Sequence, residues 1–165
     1  MPLRLLLTIL CLIPVVARAA DVGTERLIGA LARAAPAINR QVLGKAVGAM
    51  NCAVASGIDP AQRLAVIDFS LPSSKQRLWI FDLGRRRLLV EDHVAHGRGS
   101  GDEFATRFSN EFGSRKSSLG LFRTAETYYG NFGLSLRMDG LEPGINDLAR
   151  KRKIVIHSAE YVDPI

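Results

Sequence analysis

The sequence predicts an α+β protein, with helices in its N-terminal part and a mostly antiparallel β-sheet after them. Apolar residues recur at helical spacing over residues 21–56. Over residues 63–96 they alternate with polar residues, as in strands that bury one face, and short turn sequences separate the runs. Because about 145 residues remain after an apolar N-terminal run, one domain is expected rather than several.

Two helices are predicted before the sheet. Thr24 is expected to cap a helix over residues 25–35, and Pro36 to interrupt it. A second helix is expected over residues 37–56, because its apolar side chains form a continuous stripe, and Gly57 is a suitable residue to end it.

The remaining segments are predicted from period-two alternation and from turn residues. The expected strands are 63–69, 77–82, 87–95, 119–127, 134–139 and 153–157. The first three should form an antiparallel meander, and the fourth and fifth should flank a turn at residues 128–133. A short helix capped near Asn146 is expected within residues 142–150. The last strand has no predicted neighbour at its outer edge, which proteins usually avoid.

The first 20 residues have the pattern of a signal peptide. Arg4 precedes a 12-residue apolar run, and Ala17-Arg18-Ala19 supplies small residues at the positions that a signal peptidase reads. Cleavage after residue 19 or 20 is expected, with export to the periplasm or cell envelope. The run is shorter than the ~20 residues that span a bilayer, so no stable membrane insertion is expected after cleavage. An uncleaved N-terminal anchor is the alternative. A helical segment (21–56) and a β-rich domain (57–165) would follow.

The charge of the chain is moderately positive. The net charge is +6, and it falls to +4 when Arg4 and Arg18 leave with the leader. No stripe of Lys and Arg is interleaved with aromatic residues, so nucleic-acid binding is not expected. The basic runs at residues 85–87 and 150–153 are interpreted as a turn and a solvated helix end.

Two sequence features could suggest a bound phosphate or metal, and neither is complete. Residues 97–101 hold three glycines, but no Gly-Lys-Ser/Thr follows, so a conformationally demanding loop is expected rather than a phosphate cradle. His93 and His96 are three residues apart, a spacing that points to opposite faces on a strand. No cofactor or metal is therefore predicted.

Two residues could take part in nucleophilic catalysis. His157 ends an apolar strand, and a histidine there can serve as a general base; a merely hydrogen-bonded histidine at a strand end is the alternative. Cys52 is the one cysteine left after removal of the leader, which also carries Cys11. It is expected to be buried and inert, because no basic residue neighbours it in the sequence to activate the thiol.

Several segments resemble the catalytic domain of murein L,D-transpeptidases of the YkuD type. They are AVIDFS (65–70), QRLWIFD (76–82), HGRGSG (96–101), SSLGLF (117–122), LRMDGLEPG (136–144) and IVIH (154–157). The resemblance covers residues from about 40 to 165, and the combination is more specific than any single segment.

This resemblance implies an enzyme of peptidoglycan remodelling that acts on stem peptides. The family forms a thioester between a stem tetrapeptide and a cysteine, releases the terminal D-residue, and passes the acyl group to an amine or to water. His157 matches the base of the family, and Ser158 matches the residue whose backbone carbonyl orients the imidazole. The loop of residues 97–101 and Tyr128-Tyr129 would lie near the cleft, with no catalytic role implied.

The resemblance ends at the nucleophile. The family's cysteine lies downstream of the histidine in a Ser-x-Gly-Cys-type box, and none of the eight residues after His157 is a cysteine. We therefore expect a C-terminally truncated chain that is inactive as given. The alternative is a non-catalytic module that binds peptidoglycan or a partner and could accept a strand at its open sheet edge.

Overall fold

The computed structural model describes residues 15–159 and residue 162, with side chains from residue 22 onward. In this part of the chain two helices precede six strands. They are α1 (Val15–Ala34), α2 (Arg40–Ala55), β1 (Arg63–Ile67), β2 (Leu78–Asp82), β3 (Arg87–Asp92), β4 (Phe122–Gly130), β5 (Gly133–Gly140) and β6 (Val155–His157). All strand pairs are antiparallel and form two three-stranded sheets, ordered β1-β2-β3 and β4-β5-β6. The predicted α+β class is confirmed.

The first helix begins earlier than predicted. Because the alanine-rich segment before Thr24 favours helix, α1 starts at Val15, and Thr24 is an interior residue rather than a cap. Its Oγ1 accepts a hydrogen bond from Asn51 Nδ2 at 3.0 Å, which joins α1 to α2. The rest of the predicted leader, residues 1–14, lies outside the described residues. Neither described helix combines the length and the apolar composition needed to cross a bilayer.

The second helix starts three residues later than predicted. Asn39 is its N-cap, and the Asn39 side-chain oxygen accepts from the backbone N–H groups of Gln41 (2.8 Å) and Val42 (3.4 Å). At the other end Ser56 is the C-cap, and Gly57 follows with φ at +96°. Gly57 thus ends the helix as predicted, because glycine adopts this left-handed conformation without a steric cost.

The hydrophobic core lies between the two helices and the first sheet. The meander β1-β2-β3 is confirmed, and its register pairs Leu64 with Phe81 and Val66 with Trp79 on one face. The buried core residues are Ile28, Leu31, Ala35, Ile38, Leu43, Val47, Leu64, Val66, Trp79 and Phe81. Because an aromatic side chain buries about 150–250 Å², the fully buried Trp79 and Phe81 rings account for much of the core surface.

The second sheet carries the C-terminal strands. Its hairpin turn is tighter than the predicted turn at residues 128–133, because β4 continues to Gly130 and pairs there with Gly133. The connection is therefore Asn131-Phe132 with Gly133 at φ +74°, a left-handed position that favours glycine. The last strand, β6, pairs with β5 over three residues and forms one edge of the described sheet.

The predicted short helix at residues 142–150 is wrong. The segment is a series of turns, because Gly144 has φ at +77°, outside the helical region. Asn146 is not a cap. Its side chain is fully buried, accepts from the Glu142 backbone N–H, and donates to the carbonyl oxygens of Leu119 and Leu121. The asparagine therefore joins the turn to the segment that enters β4.

The glycine-rich loop is conformationally demanding, as predicted. A Cβ atom at Gly97 would lie 2.5 Å from the Arg115 carbonyl oxygen, and a Cβ atom at Gly99 would lie as close to the carbonyl oxygen of Ser114. Gly101 has φ at +150°. The loop packs directly on the backbone of residues 114–117, so its glycines serve close approach of two backbone segments.

The two basic runs have different outcomes. Arg85 and Arg86 lie in the expected turn, with Arg86 at φ +51° and Arg85 bonded to Asp82, whereas Arg87 begins β3. Residues 150–153 are not a solvated helix end. Arg152 is half-buried, burial lowers the pKa of its guanidinium, and it fastens the loop of residues 109–118. Its acceptors are the carbonyl oxygens of Ser109 (2.5 Å) and Lys116 (2.7 Å) and the hydroxyls of Ser118 (2.6 Å) and Ser114 (3.0 Å).

Candidate functional site

His157 is the last residue of the edge strand β6. Its cross-strand neighbour on β5 is Ser135, and Ser135 in turn pairs with Tyr128 on β4. Directly opposed residues of an antiparallel sheet share a face, so these three side chains form one row across the sheet. His157 is half-buried, whereas the small Ser135 beside it is buried. The row thus presents an accessible imidazole beside a small, covered residue.

The imidazole of His157 is held by a backbone carbonyl. Its Nδ1 lies 2.8 Å from the carbonyl oxygen of Ser158. A carbonyl oxygen only accepts, so Nδ1 carries the proton in the neutral ring and the lone pair is on Nε2. Among the residues that the structure describes, Nε2 has no hydrogen-bond partner. This is the tautomer in which a histidine can take a proton from a nucleophile.

His157 and Ser158 are the predicted site residues. The Ser158 carbonyl contacts the imidazole at Nδ1, as an orienting carbonyl must. The Ser158 side chain is exposed, and its backbone rather than its hydroxyl contacts the ring. No observation tests catalysis by either residue, so their catalytic roles remain predictions.

Phe132 is a site residue that the sequence reasoning missed. Its ring stacks on the imidazole of His157, with 4.5 Å between ring centroids and 16° between ring planes. The two residues are 25 positions apart in the chain and meet only because the β4–β5 turn reaches the end of β6. The available signal was an aromatic residue between Gly130 and Gly133, a pattern typical of an exposed hairpin tip.

A charged cluster occupies the same face, further along β5. The Arg137 guanidinium lies 4.2 Å from the centre of the Tyr128 ring and 3.1 Å from Glu126. Arg150 hydrogen-bonds both Glu126 and Asp139. These bonds are the main reason why the pKa values of both carboxyls lie below their usual range and that of Arg150 lies above it.

Cys52 is exposed, which corrects the expectation that it is buried. It lies near the end of α2, whose apolar stripe faces the other side, with Leu43 and Val47 in the core. The helix packs over the first sheet, whereas His157 belongs to the second. No hydrogen bond joins the two residues in the described part of the chain, so the structure does not pair this thiol with the candidate base.

The other two histidines have structural contacts. His96 accepts at Nδ1 from the Arg77 guanidinium (2.8 Å) and donates from Nε2 to the Gly101 carbonyl (3.1 Å). His93 lies beside the carbonyl oxygen of Ser74. Within residues 15–159, no group of three or more His, Cys, Asp or Glu side chains is arranged to hold a metal ion.

The fold and the site together define a class: an antiparallel α+β domain whose edge strand presents a carbonyl-oriented histidine, with no hydrogen-bond partner at Nε2 among the described residues. The family model described as the L,D-transpeptidase catalytic domain matches residues 34–165. The chain belongs to this family, which confirms the resemblance found in the sequence. No curated protein and no solved structure matches the chain at a significant level.

Proposed function

We propose that this protein binds the stem peptides of peptidoglycan in the cell envelope, with His157 at its peptide-binding site. The observation that carries the proposal is the oriented imidazole: Nδ1 is bonded to the Ser158 carbonyl, and Nε2 has no partner in the part of the chain that the structure describes. In an L,D-transpeptidase the base activates a cysteine that attacks the stem-peptide carbonyl. The family membership of residues 34–165 supports this assignment of the histidine.

We further propose that the 165-residue chain binds such peptides without forming the acyl-enzyme. Cys11 and Cys52 are the cysteines of this sequence, and Cys52 lies on α2, which packs over the first sheet, whereas His157 belongs to the second. In the described residues no cysteine is hydrogen-bonded to the base, and loss of the nucleophile slows acyl transfer by several orders of magnitude.

The test is a titration of the full chain with a stem tetrapeptide, followed by NMR and by intact-mass spectrometry. Saturable shifts of the His157 ring signals with an unchanged protein mass are expected. The variant His157→Gln should weaken the shifts that the peptide causes in neighbouring backbone amides. The control His93→Gln should not, because His93 follows β3 of the first sheet. Absence of saturable binding would contradict the proposed substrate class. An adduct on Cys52 would contradict the proposed inactivity.

Export is part of the proposal. The positively charged start, the short apolar run and Ala17-Arg18-Ala19 support cleavage after residue 19 or 20 and a place in the periplasm or cell envelope. N-terminal sequencing of the protein recovered from cell fractions checks this. A mature chain that starts at residue 20 or 21 in the envelope fraction agrees with the proposal, and an intact N-terminus in the cytoplasm does not.

A non-catalytic binding module is the second candidate function, and one surface favours it. The sheet face opposite His157 carries the exposed apolar side chains Tyr129, Leu134 and Ile156. If this face binds the wall, Leu134→Asp should abolish co-sedimentation with purified sacculi while His157→Gln leaves it intact. The reverse result favours the stem-peptide site.

A further inference from the structure

The β4–β5 turn holds an aromatic ring over the candidate base. Phe132 is stacked on His157 although 63% of its surface is exposed, so burial in a core does not explain its place. Gly133, at φ +74°, follows it and returns the chain into β5. An added Cβ at Gly133 would meet nothing within 4 Å, so the glycine is required by backbone conformation and not by space.

We propose that Phe132 is a positioning residue for the His157 imidazole; this inference rests on the proposed role of His157 as the base. The bond from Nδ1 to the Ser158 carbonyl selects the tautomer, but it restrains the ring at one atom. A flat ring lying 4.5 Å away and 16° from parallel restrains the imidazole plane as well. Together the two contacts fix the direction in which Nε2 points.

The neighbours of the pair allow this arrangement. Ser135 is the cross-strand partner of His157, and its hydroxyl donates to the Gly133 carbonyl at 3.2 Å. Because serine is small, it leaves space at the end of the sheet for the stacked rings, and its bond supports the turn that carries Phe132. With one imidazole face covered, a substrate can reach Nε2 at the ring edge or from the opposite face. Phe132 therefore also limits the side from which a peptide approaches.

The experiment records the side-chain NMR signals of the three histidines in the full chain at a fixed pH where the imidazole is neutral. A stacked aromatic ring displaces the His157 ring-proton signals upfield, and the nitrogen shifts report a single Nδ1–H tautomer. In Phe132→Leu the upfield displacement should vanish. The two tautomers should also mix, because an imidazole whose plane is no longer restrained leaves the Ser158 carbonyl part of the time. Phe132→Tyr, which keeps the aromatic face, should restore both signatures. Signals of His93 and His96 should not move in either variant.

Phe112→Leu is the matched control, because this loop phenylalanine is 62% exposed and does not stack on His157. It should match Phe132→Leu in thermal stability and leave the His157 signals unchanged. Unshifted His157 ring protons in the unmodified protein, or a retained tautomer in Phe132→Leu, would overturn the inference.

The positioning inference and the proposed function fail in different ways. If the stem tetrapeptide binds near His157 but Phe132→Leu leaves the ring signals unchanged, Phe132 does not position the base. If the ring signals change as expected but no stem peptide binds, the positioning stands as a structural fact and the proposed substrate class is wrong.

Discussion

At the scale of single residues, the most consequential side chain outside the site is Arg77. It is fully buried, and its guanidinium donates to the carbonyl oxygens of Val94 (3.0 and 2.7 Å) and Leu71 (2.8 Å) and to His96 Nδ1 (2.8 Å). Burial lowers the pKa of Arg77, and the nearby Asp68 carboxylate partly offsets this effect. One side chain thus joins the start of β2, the loop after β1 and the segment that leads from β3 into the glycine-rich loop.

Replacing Arg77 tests this role. In Arg77→Lys a single ammonium group cannot reach all three acceptors, so buried carbonyl groups lose partners. We expect the free energy of unfolding to fall by about 2–4 kcal/mol, measured by urea denaturation. Arg87→Lys is the control, because the Arg87 side chain is exposed and lies 3.8 Å from Asp82, its one ion-pair partner among the described residues. This substitution should change stability by less than about 0.5 kcal/mol. Equal effects of the two substitutions would show that Arg77 is not a structural junction.

At the scale of elements, the glycine-rich loop needs residues without a Cβ atom, because its backbone packs against that of residues 114–117. Gly97→Ala places a Cβ against the Arg115 carbonyl oxygen and should destabilise the protein by about 1–3 kcal/mol. Gly48→Ala is the opposite case: this α2 glycine has nothing within 4 Å of an added Cβ, and alanine favours helix. It should raise stability by up to about 1 kcal/mol. Thermal unfolding of both variants measures the difference, and a neutral Gly97→Ala would contradict the close packing.

The charged cluster of the second sheet makes a pH prediction. The pKa values of Asp139 and Glu126 are lowered in the folded state, mainly by hydrogen bonds from Arg150. Because both carboxyl pKa values are lower in the folded state than in the unfolded state, the stability that these groups contribute is complete above the unfolded pKa values of about 4. It is lost as the pH falls through the folded-state pKa values. Melting temperatures measured from pH 6 to pH 2 should therefore fall less steeply in Arg150→Gln than in the unmodified protein.

Arg107→Gln is the control for the pH prediction, because Arg107 is exposed and has no ion pair among the described residues. Its melting temperature should follow that of the unmodified protein across the whole range. A parallel loss in all three proteins would show that Arg150 does not lower the pKa of its two carboxylate partners.

The elements differ in how far the sequence alone predicts them. The β1-β2-β3 meander follows from local alternation, and the end of α2 follows from Gly57. The local pattern of residues 142–150 predicts a helix, whereas the structure forms turns there. Asn146 bonds backbone groups more than twenty positions away, and no local pattern encodes that contact. The same limit applies to the site: the strand pattern predicts His157 as a candidate base, but the stacking of Phe132 depends on the turn and β6 meeting in space.

At the scale of the whole molecule, the two halves are stabilised differently. Residues before Gly97 contain the entire apolar cluster of the two helices and the first sheet. In the described residues after Gly97, the buried apolar side chains are two alanines, Ala105 and Ala149. The other buried residues of this half are polar: Ser100, Ser118, Ser135 and Asn146. A net hydrogen bond contributes about 1 kcal/mol, whereas a buried large apolar side chain contributes about 1.5–3 kcal/mol, so the second half should be the less stable one.

Hydrogen exchange of the backbone amides tests this difference. Amides of β1–β3 should exchange only through global unfolding, and those of β4–β6 at least about tenfold faster, which corresponds to about 1.4 kcal/mol. The core substitution Val66→Ala should speed exchange in β1–β3 and leave β4–β6 nearly unchanged, because opening of the second sheet does not require the core to open. Equal protection of both sheets, or equal acceleration by Val66→Ala, would mean that the domain opens as one unit. A separately opening second sheet would instead place the His157 site on the more mobile half, where the Phe132 contact matters most for holding the imidazole.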